Sequence, residues 1–169
     1  HNPGNLAGIR ALEALRPGLP QFASFDTAFH KTNPETAVTY ALPEAERALG
    51  LRRYGFHGIS YAALVHGLAL RGPLPRRLLA CHLGNGASLC AIRDGQSVAT
   101  TMGYSPLDGL TMGTRAGGID GNAVLRLAEV HGVQRAGAIL NRESGLLALG
   151  GASDMRSLPP ASFARAHFI

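Results

Sequence analysis

The run from Leu78 to Thr101, LLACHLGNGASLCAIRDGQSVATT, decides the fold. Leu78-Leu79-Ala80-Cys81-His82-Leu83 reads as a strand, Gly84-Asn85-Gly86 as a turn, and Ala87 to Ile92 as a second strand. Asp94-Gly95 is a strong hairpin signal, because a tight two-residue turn needs positive φ at its centre. Ser97 to Thr101 reads as a third strand. Three consecutive antiparallel strands then form one compact module. A second glycine-bearing run, Arg53-Tyr54-Gly55-Phe56-His57-Gly58-Ile59-Ser60, shares its main feature, a histidine beside glycines where a strand leads into a turn. Glycine lets backbone approach a ligand and present its N–H groups. Histidine adds a donor that is neutral or cationic near pH 7. Two such loops point to a site for an anion, and the phosphates of a nucleotide suit them best.

Outward from these loops the pattern is mixed helix and strand. Asn2-Pro3 followed by Leu6, Ile9, Leu12 and Leu15 reads as a capped amphipathic helix that Pro17-Gly18 ends. Phe22 to Phe25 reads as a short buried strand delivering Asp26-Thr27-Ala28-Phe29-His30, and α/β folds tend to place sites at such strand ends. Pro34 to Pro43 is irregular or briefly helical, and Pro43-Glu44 opens a short helix to Leu49. Ser60 is placed to cap a helix through about Leu70. Helical patterns resume over Gly121 to Val130 and Val133 to Leu140, and Ala161 to Ile169 closes the chain as a further helix.

The 169 residues suffice for one domain with a core, and 46% apolar with 16% charged content excludes a disordered chain. No apolar run approaches the roughly 20 residues of a membrane helix, and no signal peptide is visible. The chain starts at His1, so the expectation is a piece of something longer. The net charge of +5 is carried almost wholly by arginine, with Lys31 the one lysine. Arg52-Arg53 and Arg76-Arg77 are the only clusters, so no basic, aromatic-interleaved tract speaks for nucleic acid. The balance favours an anionic small substrate or is an arginine-biased surface. Cys81 and Cys90 match no zinc or redox spacing; reduced, buried thiols are expected, which fits a cytoplasmic protein.

The chain resembles the acetate kinase (acetokinase) family. The matching pieces run in order: His1-Asn2-Pro3, Phe25 to His30, Tyr40-Ala41-Leu42-Pro43, Arg52 to Ser60, His82 to Ser88, Thr101-Met102-Gly103, Pro106-Leu107, Gly109-Leu110, Met112-Gly113-Thr114-Arg115, Ser144 to Leu147, and Ser153-Asp154-Met155-Arg156. The resemblance implies an α/β fold of the acetate and sugar kinase, Hsp70 and actin kind (ribonuclease H-like), mostly its second lobe. Residues 1–31 would end the first lobe, and 32–169 would be part of the second, on the nucleotide-binding and dimerisation side.

The implied activity is reversible transfer of the ATP γ-phosphoryl to acetate, giving acetyl phosphate and ADP. Propionate or another short carboxylate is the alternative acceptor, and a non-catalytic nucleotide-binding or dimerisation lobe is the rival of a different class. By the resemblance, Asp26, His57 and Arg115 are catalytic. His82, Leu83, Gly84, Asn85 and Gly86, with Asp154, Met155 and Arg156, would hold the nucleotide. No metal ligand is assigned, and the ligands of the implied Mg²⁺ are expected outside this chain. A homodimer is implied, with no nucleic-acid or membrane partner.

Each assignment has a plainer alternative in the residues alone. Arg115 could be a surface arginine on a turn, His57 a buried histidine bonded to backbone, and Asp26 a cap formed with Thr27. Gly84-Asn85-Gly86 could be an ordinary hairpin turn. Asp26 is expected to orient a neighbour or a metal rather than transfer a proton. His1 matches a family position near the acyl pocket; it, His30, His66, His131 and His167 are given no chemistry. The chain departs from the family after Arg115, where Gly117-Gly118-Ile119-Asp120-Gly121 replaces Gly-Asp-Ile-Asp-Pro. The added glycines predict looser positioning of Arg115. The family's N-terminal phosphate loop, its substrate-binding arginine and its C-terminal adenosine segment have no counterpart in these residues.

Overall fold

The computed structural model describes residues 2–168, so the His1 assignment lies outside the described residues. The three-stranded module forms as the pattern predicts: β1 (Arg77–Leu83), β2 (Ala87–Arg93) and β3 (Gln96–Thr100) pair antiparallel in the order β1-β2-β3. Asp94 (φ 50°) and Gly95 (φ 77°) both take positive φ, which is the tight turn the Asp-Gly pair announces. The register pairs His82 with Ser88 and Cys90 with Thr100, and a bulge follows Ala91.

Preceding the sheet come α1 (Asn2–Leu15), a 3₁₀ turn (Ala28–Thr32), and the short helices α2 (Glu35–Val38) and α3 (Glu44–Arg47). The longer α4 (Gly58–Ala69) leads into it. After it come α5 (Gly121–His131), α6 (Val133–Arg142), α7 (Gly145–Gly150), a 3₁₀ turn at Met155–Ser157, and α8 (Phe163–Phe168).

One side of the sheet packs on α4 and the first 3₁₀ turn. Tyr61, Ala80, Cys90 and Ile92 are buried there against Phe29, Val65 and Leu78. A second cluster of Ala87, Met102 and Met112 lies under Phe56 and Leu110, and Phe168 joins it to a third around Leu146, Leu158 and Ala164. Burial of Ile92, Met102, Met112, Leu146 or Leu158 stabilises by about 1.5–3 kcal/mol each, before the entropy of ordering it.

The structure corrects several expectations. Phe22 to Phe25 is not a strand; Phe22 is 95% exposed and Phe25 69%. A strand needs a ladder, and β3 is covered by the 3₁₀ turn, whose Thr32 Oγ1 donates to Ser97 O and whose His30 Nδ1 lies 2.9 Å from Ser97 Oγ. Arg53 to Phe56 is likewise no strand, with one isolated bridge (Thr39 to Arg52) before it. Cys90 is buried but Cys81 is exposed, because β1 leaves the face it shares with Leu79 and Leu83 uncovered. Both thiols are free. α4 starts at Gly58, so Ser60 lies inside its first turn and not at the cap. The Leu6, Ile9 and Leu12 stripe of α1 stays nearly half exposed. Among the described residues, no helix is long and apolar enough to cross a membrane.

Two glycines separate backbone need from tolerance. Gly55 sits at φ 76°, and a Cβ there would meet His30 Cδ2 at 2.5 Å and Thr100 Cγ2 at 2.7 Å. Gly67, inside α4, has open space around it. Gly55→Ala is therefore expected to lower stability by about 2 kcal/mol or more. Gly67→Ala is expected to raise it by about 0.5–1 kcal/mol, both read from urea unfolding midpoints.

Candidate active site

The site begins with a helix start made from two distant segments. The backbone at His57 turns left-handed (φ 59°, ψ 22°) and α4 begins at the next residue. No residue next to His57 caps this helix. Asp26 does, from 31 residues upstream: its Oδ2 accepts from His57 N at 2.6 Å and its Oδ1 from Ile59 N at 3.3 Å. Its backbone carbonyl also accepts from Gly58 N at 2.8 Å. A Cβ on Gly58 would run into that carbonyl, so the position requires glycine. Asp26 is thus a cap, as the plainer alternative held, but for the helix that carries His57 and not with Thr27. A carboxylate at a helix N-terminus also meets the positive end of the helix dipole.

The left-handed turn aims the His57 ring at the sheet. Its Nδ1 lies 2.9 Å from Ser88 Oγ on β2, and Ser88 Oγ lies 2.5 Å from Tyr61 Oη, one turn along α4. The His82 ring stacks on it with centroids 3.8 Å apart and planes 17° off parallel, held by Ser60 Oγ at 3.0 Å from its Nδ1. Burial, aided by His82, holds the His57 pKa below its ordinary 6.5; Asp26 pulls the other way and Arg115 adds to the lowering. A neutral ring is what lets two imidazoles stack this closely. His30 is also held low by burial, but it is structural: its Nε2 lies 2.9 Å from Phe56 O, under the same turn.

Arg115 comes from a loop fastened to the start of α7. Leu146 N donates to Met112 O at 2.9 Å, Leu147 N to Gly113 O at 3.0 Å, and Ser144 N to Thr114 O at 3.0 Å. These bonds satisfy N–H groups at the helix start that would otherwise lack partners. The guanidinium donates from Nη1 to Pro106 O at 3.1 Å and approaches Met112 Sδ at 3.7 Å. Among the described residues, no carboxylate forms an ion pair with it. The glycines that follow are tied down: Gly118 N donates to Gly109 O at 2.8 Å, and Asp120 caps α5 by accepting from Asn122 N at 2.8 Å.

These pieces converge on the Gly84-Asn85-Gly86 turn. A Cβ at Gly86 would stand 3.0 Å from His57 Nε2 and 3.3 Å from Arg115 Nη1, a crowded position, so glycine lets both side chains close on the turn. Beside the turn lies a cavity of about 590 Å³. Leu83, Gly84 and Asn85 line it together with Asp154, Met155 and Arg156. His82 and Gly86 lie beside this cavity, on the His57 side. Gly84 N is already used by Gly86 O (2.9 Å), so that amide closes the turn and does not face the cavity. Arg156 is engaged by Asp154, whose carboxylate accepts from the Arg156 guanidinium and backbone N and falls to a pKa of about 2.

The arrangement offers a neutral histidine donor, a cation without a carboxylate partner and a bare glycine around one small space. Such a grouping suits an anionic ligand. For a metal the fit is poor. Among the described residues, no three His, Cys, Asp or Glu side chains gather to hold one, and both Asp26 oxygens accept backbone N–H bonds.

Comparison with known proteins identifies the family. The model for the Acetokinase family matches residues 1–165. The chain belongs to the acetokinase family. It is 53% identical over 161 residues to an acetate kinase of Synechococcus sp., covering 92% of this chain and 40% of that protein. The crystal structure of acetate kinase from Entamoeba histolytica superposes with a TM-score of 0.87 at 37% identity, over 92% of this chain and 41% of that one. A propionate kinase structure from Francisella tularensis gives 0.84 at 42% identity, over 92% and 42%. The chain spans about 40% of the length of the curated relatives it matches. Its α/β fold is accordingly that of the acetokinases.

Sequence reasoning missed Ser88, Tyr61 and Phe168. Ser88 stands at the end of the quoted glycine run, and inward alternation along β2 was its only signal. Tyr61 lies four residues after His57, which places it on the same helix face. Phe168 reaches the cavity from α8, a helix the sequence pattern shows without showing what it packs against.

His30 and His57 are both held below 6.5, so below that pH the unfolded chain binds more protons than the native one. Their contribution is complete above about pH 6.5 and is lost as pH falls through the folded values. NMR titration is expected to give midpoints under 6.5 for both, and urea unfolding a lower stability at about pH 5 than at about pH 7.

Proposed function

We propose that this chain is the end of the first lobe (1–31) and part of the second lobe (32–169) of an acetate kinase. The longer protein would transfer the γ-phosphoryl of ATP reversibly to acetate. A carboxylate oxygen forms the new bond to phosphorus, the bond to the bridging oxygen breaks, and ADP leaves with the electron pair. Acetate is already an anion, so no base is needed, and catalysis rests on placement and on stabilising charge at the equatorial oxygens.

The observation that carries the reading is the meeting of His57 Nε2 and Arg115 Nη1 at Gly86, beside the cavity. In the proposed mechanism these two donors contact the transferring phosphoryl. Asp26 acts by fixing the His57 backbone. His82 stacks on His57, and Leu83, Gly84, Asn85 and Gly86, with Asp154, Met155 and Arg156, surround the nucleotide. Mg²⁺ accompanies the nucleotide in this reading and is given no ligand from these residues. A homodimer in the cytoplasm, without nucleic-acid or membrane partners, completes it. The likeness to a solved propionate kinase favours one second reading, a longer acyl acceptor. One methylene is worth only about 1–3 kcal/mol of discrimination.

Hydroxylamine trapping of the acyl phosphate tests this. Turnover is expected for the chain extended to the length of its relatives and not for residues 1–169 alone. Replacing Arg115 by Ala in the extended protein is expected to lower kcat by about 10²–10³ while KM for ATP changes little. A kcat/KM for propionate above that for acetate selects the second reading. No turnover in either protein leaves a nucleotide-binding or dimerisation lobe.

A further inference from the structure

Beneath His57 lies a closed row of three side chains whose proton directions can be deduced one after another. Tyr61 is 1% exposed and Ser88 is wholly buried. A buried phenol that keeps its proton must donate it, since the loss of that bond costs about 1–3 kcal/mol. Burial holds the Tyr61 phenol above its ordinary 10.0, so it does keep its proton. Its side-chain partner within hydrogen-bond distance is Ser88 Oγ at 2.5 Å, so Tyr61 donates and Ser88 accepts. Ser88 has one proton of its own and one other partner, His57 Nδ1 at 2.9 Å. It donates there, and Nδ1 can only accept if it carries no hydrogen. The neutral ring then bears its hydrogen on Nε2, the nitrogen that faces Gly86.

We propose that Tyr61 and Ser88 are positioning residues that lock His57 in the Nε2–H tautomer, so that it meets a ligand in the cleft as a hydrogen-bond donor. Without the relay, Nδ1–H could donate to Ser88 and Nε2 would turn a lone pair towards the incoming anion. That would repel the group the site is built to take. The row also fixes the ring plane, because Ser88 grips one edge while His82 stacks on the face. The tautomer stands on this geometry alone; only its kinetic consequence rests on the phosphotransferase reading.

The test is long-range ¹H–¹⁵N NMR of the histidine-labelled chain at a pH where His57 is neutral. The expected wild-type signature is one Nε2–H form whose Nδ1 signal is shifted by an accepted hydrogen bond. Ser88→Ala is expected to abolish that shift and release a second tautomer, and Ser88→Thr to restore the wild-type pattern. Tyr61→Phe keeps the core ring and frees Ser88 to accept, so part of His57 should move to Nδ1–H. A wild-type ring protonated on Nδ1 overturns the proposal, and so does an Nδ1 signal that stays in place in Ser88→Ala or a tautomer unchanged in Tyr61→Phe. In the extended protein, Ser88→Ala is expected to lose kcat with KM for the nucleotide unchanged, and Ser88→Thr to recover it. The expected NMR pattern in a protein without turnover would sink the phosphotransferase reading and leave the relay standing.

Discussion

One carboxylate holds the site together. Asp26 accepts from the backbone of His57 and Ile59 and so fastens the segment that follows α1 to the start of α4. His57 is one of two residues other than glycine with positive φ among the described residues. Such a conformation costs roughly 1 kcal/mol or more and persists only where surroundings impose it. The two charge-assisted bonds impose it here. From that turn follow the direction of the His57 ring, the position of Tyr61 one helical turn on, and the contact of both with Ser88.

The second constraint is electrostatic. Burial and the stacked His82 ring hold the His57 pKa below its ordinary value, while Arg115 has no carboxylate ion-pair partner among the described residues. Arg156, by contrast, is paired with Asp154 in the cavity lining. The Arg115 charge therefore lies beside Gly86 without an ion-pair partner among the described residues, while the charge of Arg156 in the cavity lining is offset.

The sheet was legible because its turns carry their own chemistry: Asp94-Gly95 needs positive φ, and Gly84-Asn85-Gly86 needs a bare backbone. The helices with 3.6-residue periodicity, α4 to α6, were legible for the same local reason. What failed was nonlocal. Phe22 to Phe25 has the composition of a strand but no ladder to join. Ser60 has the chemistry of a cap, yet the cap is Asp26, a residue no spacing rule connects to Gly58. Cys81 was expected inside because apolar alternation does not reveal which face of an edge strand goes uncovered. For the site, matching motifs brought Asp26, His57 and Arg115 to notice. Ser88 and Tyr61 became visible only when the strand and the helix were placed against each other.

The most direct measurement is a titration of the ¹⁵N-labelled chain with ADP, followed residue by residue through backbone amide shifts. The account requires the largest changes at Asn85, Gly86, Gly113 and Met155, with smaller ones at His57 and Arg115. Changes centred on α5 and α6, or none at these turns at saturating ADP, would contradict it.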